Sequence, residues 1–301
     1  MNLDLDHSRR RLAQAALAAA AAQPETASGW VVFDAIGVTG LLTEPGGSPP
    51  FGLLDWCLVL ESLGVGRREL DLIREVRLFL DVFDDGRGRA RAAFAAWARN
   101  ARAGTQARVL AVRRTAEDGS ERWSTRGGPP ELGGLPDVAL DPAAATAVRD
   151  RDLVACASYA VGIGRGCLES ARERAGSRVI AKRRLIEYQG AAHQLAESAV
   201  ELAGARLAVW RSATLADEGR VPGYRATEAA AAAVTACLEC AHTATQIFGA
   251  AGTSDPRLVS LHRTAYRLTA VCGSPRALWR EAGQRALAEE RSDETQRDED
   301  G

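Results

Sequence analysis

The second half of the chain constrains the fold more than any other feature. From Pro142 onward four long stretches, at about 142–175, 182–218, 225–248 and 256–289, carry helical patterns, and the breaks between them fall at Gly176, Gly219 to Gly223 and Gly249 to Asp255. Long helices joined by short connections pack as an antiparallel bundle, so these four predict a four-helix bundle over 142–290. In the second stretch Leu185, Tyr188, Ala192, Leu195, Ala199 and Leu202 recur at spacings of three and four, the stripe of a helix with one face in a core. Aromatics make up only 5% of the residues while alanine is abundant, which favours closely packed helices over a strand-rich sheet and makes the chain mostly α. The polar run at 291–301 is expected to fray.

The first half reads less regularly. A helix is expected over 8–23, a short one from Trp30 to Ile36, and a loop through the Gly- and Pro-rich stretch from Thr43 to Pro50. Leu53, Leu54, Cys57, Leu58 and Leu60 then begin another amphipathic helix with Gly64 as its stop, and two further helical runs cover 67–83 and 87–102. Residues 1–103 thus form an N-terminal helical domain. Between Gly104 and Asp141 the pattern changes: Arg108 to Arg113 alternates like a strand, Glu117-Asp118-Gly119 signals a turn, and Arg122 to Thr125 pairs back. Pro129, Pro130, Gly133, Gly134 and Pro136 break further regular structure, so 104–141 is a reduced β segment of one or two hairpins.

Composition excludes some partners. With 38 basic and 39 acidic residues the net charge is -1, which leaves no global field to attract nucleic acid. No run of eighteen uninterrupted apolar residues is present, so no membrane span is expected and the reading is cytoplasmic. The six cysteines lie in apolar helical patterns, as small hydrophobes rather than disulfide partners. Cys237-x-x-Cys240 with His242 lacks the second ligand pair of a zinc site, and no metal is expected. His193, His242 and His262 stand singly, without a nucleophile-His-acid arrangement. Gly162-x-Gly164-x-Gly166 follows no strand and reads as close helix packing rather than a dinucleotide fingerprint.

Several spacings together carry a family resemblance. Gly162-Ile-Gly-Arg-Gly-Cys-Leu-Glu-Ser-Ala171, then Arg178, Ile186-Glu-Tyr-Gln189 and Leu195-Ala196, resemble the C-terminal domain of the acyl-CoA dehydrogenase family. Gln246-Ile-Phe-Gly-Ala-Ala-Gly252 is similar to that family's Q-I-x-G-G-x-G turn, and Arg263 stands where its next arginine does. Gly37 to Leu42, Gly46-Gly47 and Leu58 to Gly64 resemble, more weakly, the segment that opens these enzymes. The resemblance implies an acyl-CoA dehydrogenase-like architecture with its middle β-domain cut to a remnant. It also implies FAD at a subunit interface, with the arginine and the glycine turn of one subunit holding the ADP portion of flavin bound to its neighbour. Arg178, Gln246, Gly249 and Gly252 inherit that cofactor role. Physically, arginine offers a charged fork to a diphosphate, and glycine lets the backbone approach.

The chain departs from the pattern at three places. The family's phenylalanine-glycine pair is Ala181-Lys182 here, the second glycine of the turn is Ala250, and Cys272 stands where the catalytic glutamate usually precedes a G-T pair. A thiol with an ordinary pKa near 8.5 is mostly protonated at neutral pH and is a poor base. A branch of the family carries its base on the first bundle helix, and Asp152 occupies that position. The competing reading makes Asp152 a solvated charge near a helix start. Three functions follow from the resemblance. The first is a flavin-linked oxidoreductase subunit that completes the FAD site of a fuller acyl-CoA dehydrogenase-like partner, in homo- or hetero-oligomeric form, during α,β-dehydrogenation of an acyl-CoA or acyl-carrier thioester. The second is a self-sufficient dehydrogenase using Asp152. The third is an inactive scaffold that has lost FAD.

Overall fold

The computed structural model describes residues 5–23, 32, 35–37, 52–66, 81–83, 112–115, 117–118, 120–124 and 137–299. Most of the expected short helix at 30–36, the loop at 43–50 and nearly all of the runs at 67–83 and 87–102 lie outside these residues. Helix α1 is His7–Ala22, opened by Asp6, whose carboxylate accepts the Arg9 N–H at 2.8 Å. Helix α2 is Leu53–Val65. Strands β1 (Val112–Thr115), β2 (Glu121–Ser124) and β3 (Val138–Leu140) form an antiparallel meander. The first pairing, Val112 with Ser124, is the expected hairpin. The third strand corrects the expectation that the proline and glycine residues end regular structure: they end at Pro136, and Val138 to Leu140 then pair with Glu121 to Trp123.

The C-terminal helices are α3 (Pro142–Ser177), α4 (Gln189–Asp217), α5 (Tyr224–Phe248), α6 (Pro256–Cys272) and α7 (Pro275–Glu299). Asp141 caps α3 by accepting the Ala144 N–H, and Pro142 occupies the first turn, where no backbone donor is needed. The expected last helix is two helices, because Gly273 (φ +110) and Pro275 interrupt it. The polar stretch expected to fray from Arg291 is helical to Glu299. The second expected helix begins at Gln189 rather than 182, after a small hairpin of β4 (Val179–Ile180) and β5 (Arg183–Arg184) and one 3-10 turn. Leu185 and Tyr188 precede the helix, Leu195 and Leu202 of the expected stripe are buried, and Ala192 is only half-buried. The inward residues are Ala191, Leu195, Ser198, Leu202, Ala205, Val209 and Ser212, while Ala199 is exposed. Ser198 is tolerated there because its hydroxyl meets Thr243 Oγ1 at 3.0 Å.

Glycines set the closest helix contacts, as the Gly162–Gly166 pattern suggested. A Cβ on Gly162 would fall on the Glu61 carbonyl oxygen and 2.9 Å from the Gly64 Cα, so α2 and α3 cross backbone on backbone. Gly64 therefore lies inside α2 as a crossing residue rather than stopping it. Gly164 faces the other way, toward Leu202 and the Cys237 Cα. Glu61, only 3% exposed, ties α2 to its neighbours through Arg206 (2.8 Å) and Arg165 (3.6 Å). At the other end of α2, Asp217 of α4 accepts the N–H groups of Leu53 (2.5 Å) and Leu54 (3.1 Å), and burial pushes its carboxyl up from the usual range.

Candidate cofactor-binding site

Arg178 caps α3, its N–H donating to the Arg174 carbonyl at 2.9 Å and its own carbonyl accepting the Leu185 N–H at 2.8 Å. The chain then reverses through Ala181 (φ +46) and Lys182 (φ +68), both in the left-handed region that favours glycine. That requirement accounts for the place a glycine would take in the phenylalanine-glycine pair absent here. The hairpin leaves the Arg178 side chain directed at the end of α5, where Nη1 donates to the Phe248 carbonyl at 3.4 Å. Gly249 ends that helix at φ +63, and a Cβ on it would lie 3.5 Å from the same Nη1. The fold thus brings Arg178 to the Phe248 carbonyl, 70 positions away, beside Gly249.

Sequence reasoning missed Arg174. One helical turn before Arg178, its guanidinium lies over the Phe248 ring at 5.7 Å, and its Nε is buried without a hydrogen-bond partner. The available signal was the i, i+4 spacing of two arginines at the end of a helix. Together they place two guanidiniums beside a turn whose backbone is left bare at Gly249, an arrangement suited to an anion such as a diphosphate.

Gln246 lies in the last turn of α5, exposed, lining a cleft of about 300 Å³ between α4 and α5 with Gln194, Glu197, Glu201, Glu239 and His242. Gly252 is buried, and a Cβ there would press on Phe248 Cβ at 3.0 Å, so it packs the turn against its own helix. Ala250, in place of the second glycine, is exposed. His242 is exposed while Cys237 and Cys240 are buried, so the three do not share a face, and among the described residues no group of three or more His, Cys, Asp or Glu is placed to hold a metal. Burial pushes the Cys240 thiol up to about 12 and raises Cys237 as well.

The remaining candidates lie at the opposite end. Asp152 is half-buried near the start of α3 and accepts a weak hydrogen bond from Cys156 Sγ at 3.8 Å. About 26 residues of one continuous helix separate it from Arg178, roughly 39 Å at the helical rise. One copy of the chain therefore does not bring the two into one site. Its neighbour Asp150 is wholly buried, with both oxygens taken by the Arg285 guanidinium at 2.7 and 2.8 Å, and Arg285 also donates to Thr227. Burial pushes the Asp150 carboxyl up against the pull of Arg285. Arg149 forks onto Glu281 at 2.5 and 2.8 Å and holds that carboxyl below its usual range. Cys272 is buried at the end of α6.

Residues 150–287 match the model of the acyl-CoA dehydrogenase C-terminal domain. The chain is 35% identical over 100 residues to 3-sulfinopropanoyl-CoA desulfinase of Paraburkholderia xenovorans (strain LB400), across 33% of this chain and 25% of that protein. The match thus spans a quarter of the relative's length. Among solved structures, the Tcur3481-Tcur3483 steroid ACAD variant superposes with a TM-score of 0.78 at 19% identity, over 95% of this chain and 99% of that one. The ChsE4-ChsE5 complex from Mycobacterium tuberculosis gives 0.73 at 15% identity over 95% and 99%. Butyryl-CoA dehydrogenase from Megasphaera elsdenii gives 0.71 at 15% identity over 95% and 100%. Identities this low speak for fold alone. No described helix is long and apolar enough to cross a membrane. Residues 150–287 are therefore an acyl-CoA dehydrogenase C-terminal domain, carried on a chain with the acyl-CoA dehydrogenase fold.

Proposed function

We propose that this chain is a flavin-linked, acyl-CoA dehydrogenase-like oxidoreductase subunit that works with a fuller partner subunit on an acyl-CoA or acyl-carrier thioester. The observation that supports it most is the meeting of Arg178 and Arg174 at Phe248 and Gly249, with the buried Arg174 Nε lacking a partner. A dinucleotide's diphosphate fits such a place: the guanidiniums neutralise it, the bare backbone at Gly249 approaches it, and the exposed Gln246 amide hydrogen-bonds at its edge. FAD, when bound, supplies the acceptor for the hydride that leaves the β-carbon of the thioester. This chain's part is to bind and orient the ADP portion. Since Arg178 and Asp152 lie roughly 39 Å apart along α3, the Arg178 end serves a site whose other wall belongs to a neighbouring chain. A CoA thioester as substrate class accords with the names of the relatives, 3-sulfinopropanoyl-CoA desulfinase and butyryl-CoA dehydrogenase.

The test is a visible spectrum of the chain purified with an acyl-CoA dehydrogenase-like partner. Flavin absorbance in the complex, reduced at least tenfold in occupancy by Arg178→Ala, supports the proposal. Stoichiometric FAD on the chain alone, bleached by an acyl-CoA, refutes the need for a partner. Unchanged occupancy with Arg178→Ala refutes the site.

A second reading takes Asp152, half-buried beside the Cys156 thiol, as the base of a self-sufficient enzyme. Asp152→Asn then abolishes turnover with flavin absorbance intact, and unchanged turnover removes this role. A preparation that stays colourless even beside a partner leaves only the scaffold.

A further inference from the structure

The chain carries 38 basic side chains, and Lys182 alone among them is a lysine. A guanidinium stays protonated and resists acylation, whereas a lysine amine can give up its proton and form an amide, so Lys182 is the one side-chain amine open to that chemistry. It stands exposed at the tip of the β4–β5 hairpin at φ +68, next to Ala181 at φ +46. A two-residue turn with both residues left-handed favours glycine, and side chains persist there only where the surrounding structure holds them. Here Tyr188 Oη donates to the Ile180 carbonyl at 2.7 Å, and Arg183 and Arg184 fold back onto Glu187 at 3.8 and 3.1 Å. Those guanidiniums are already paired, while Lys182 forms no hydrogen bond or ion pair among the described residues. Val179 and Ile180, 62% and 40% exposed, add apolar surface beside the tip.

We propose that Lys182 is an acylation site for CoA thioesters, with the donor's diphosphate held at Arg178 and Arg174 beside Gly249. Those guanidiniums suit a diphosphate whichever nucleotide carries it. Four residues lead from Arg178 to Lys182, at most about 13 Å of extended chain, a span that the pantetheine arm between diphosphate and thioester covers. The Lys182 Nζ adds to the thioester carbonyl, the N–C bond forms as the C–S bond breaks, and the proton shed by the amine ends on the departing CoA thiolate. The products are an amide and free CoA, and no oxidant or reductant is consumed. The proposal rests on the anion-binding end of the proposed function but requires neither flavin nor a partner subunit.

The experiment incubates the full chain with acetyl-CoA and follows each amine by peptide mass spectrometry. Gly283→Lys, on open surface of α7, supplies a reference amine in the same molecule. Lys182 is expected to be acetylated at least tenfold faster than that reference, and to lose the advantage with the acetyl thioester of N-acetylcysteamine, which has no nucleotide. Excess ADP should slow labelling at 182 at least tenfold and leave 283 unchanged, and Arg178→Ala should do the same. Equal rates at 182 and 283, the same preference with both thioesters, or no protection by ADP overturns the proposal. Flavin separates the two readings. ADP-sensitive labelling at 182 in a colourless preparation supports the site while the flavin reading fails, and flavin occupancy lost in Arg178→Ala with labelling unchanged does the reverse.

Discussion

Asp150 is held in a buried ion pair with Arg285, and stability measurements can weigh that pair. Asp150 is 0% exposed and holds the Arg285 fork with both oxygens. Removing one partner of a buried pair costs about 3–5 kcal/mol because the other charge is stranded. Here the Arg285 side chain keeps 20% of its surface in water and a hydrogen bond to Thr227, which places Asp150→Ala near the lower end, about 3 kcal/mol. For a chain of this size that lowers the melting temperature by roughly 5 °C, readable by far-UV circular dichroism. Asp150→Leu combined with Arg285→Leu removes both charges and should recover to within about 1 kcal/mol of wild type. If Asp150→Ala costs under about 1 kcal/mol, or if the double variant is as unstable as the single ones added together, the buried-pair reasoning fails.

Three further outcomes follow from the packing. Gly162→Ala forces a methyl onto the Glu61 carbonyl, where only backbone can yield, and should cost about 3 kcal/mol in urea unfolding, whereas Gly204→Ala, in open space, should be neutral or stabilising. Ala181→Gly relieves a left-handed φ at an exposed turn and should stabilise by about 0.5–1 kcal/mol in the same assay. Glu281 is held below its ordinary value of 4.5 by the Arg149 hydrogen bonds. Its contribution is therefore present above the unfolded pKa and lost as pH falls through the folded one. The melting temperature of Glu281→Gln should lie below wild type at neutral pH, by about 1 kcal/mol of stability, and the difference should vanish on acidification below that range.

The bundle was legible because its signals are local. Glycine breaks and 3-4 periodicity depend on neighbouring residues, and they located α3, α4 and α5 as separate helices and α6 and α7 as one. Each miss has a non-local cause. Gly273 splits the last helix by adopting φ +110, a conformation that a glycine permits and does not announce. Ser198 enters the core because Thr243, on another helix, satisfies its hydroxyl. Of the residues singled out by the resemblance, Arg178 and Gly249 lie side by side. Gly252 proves to pack its own turn, and Arg174 escaped because its environment depends on Phe248, 74 positions away by the numbering of the chain. The unequal characters of Asp150 and Asp152 depend on Arg285, far along the chain, and could not be read from the motif.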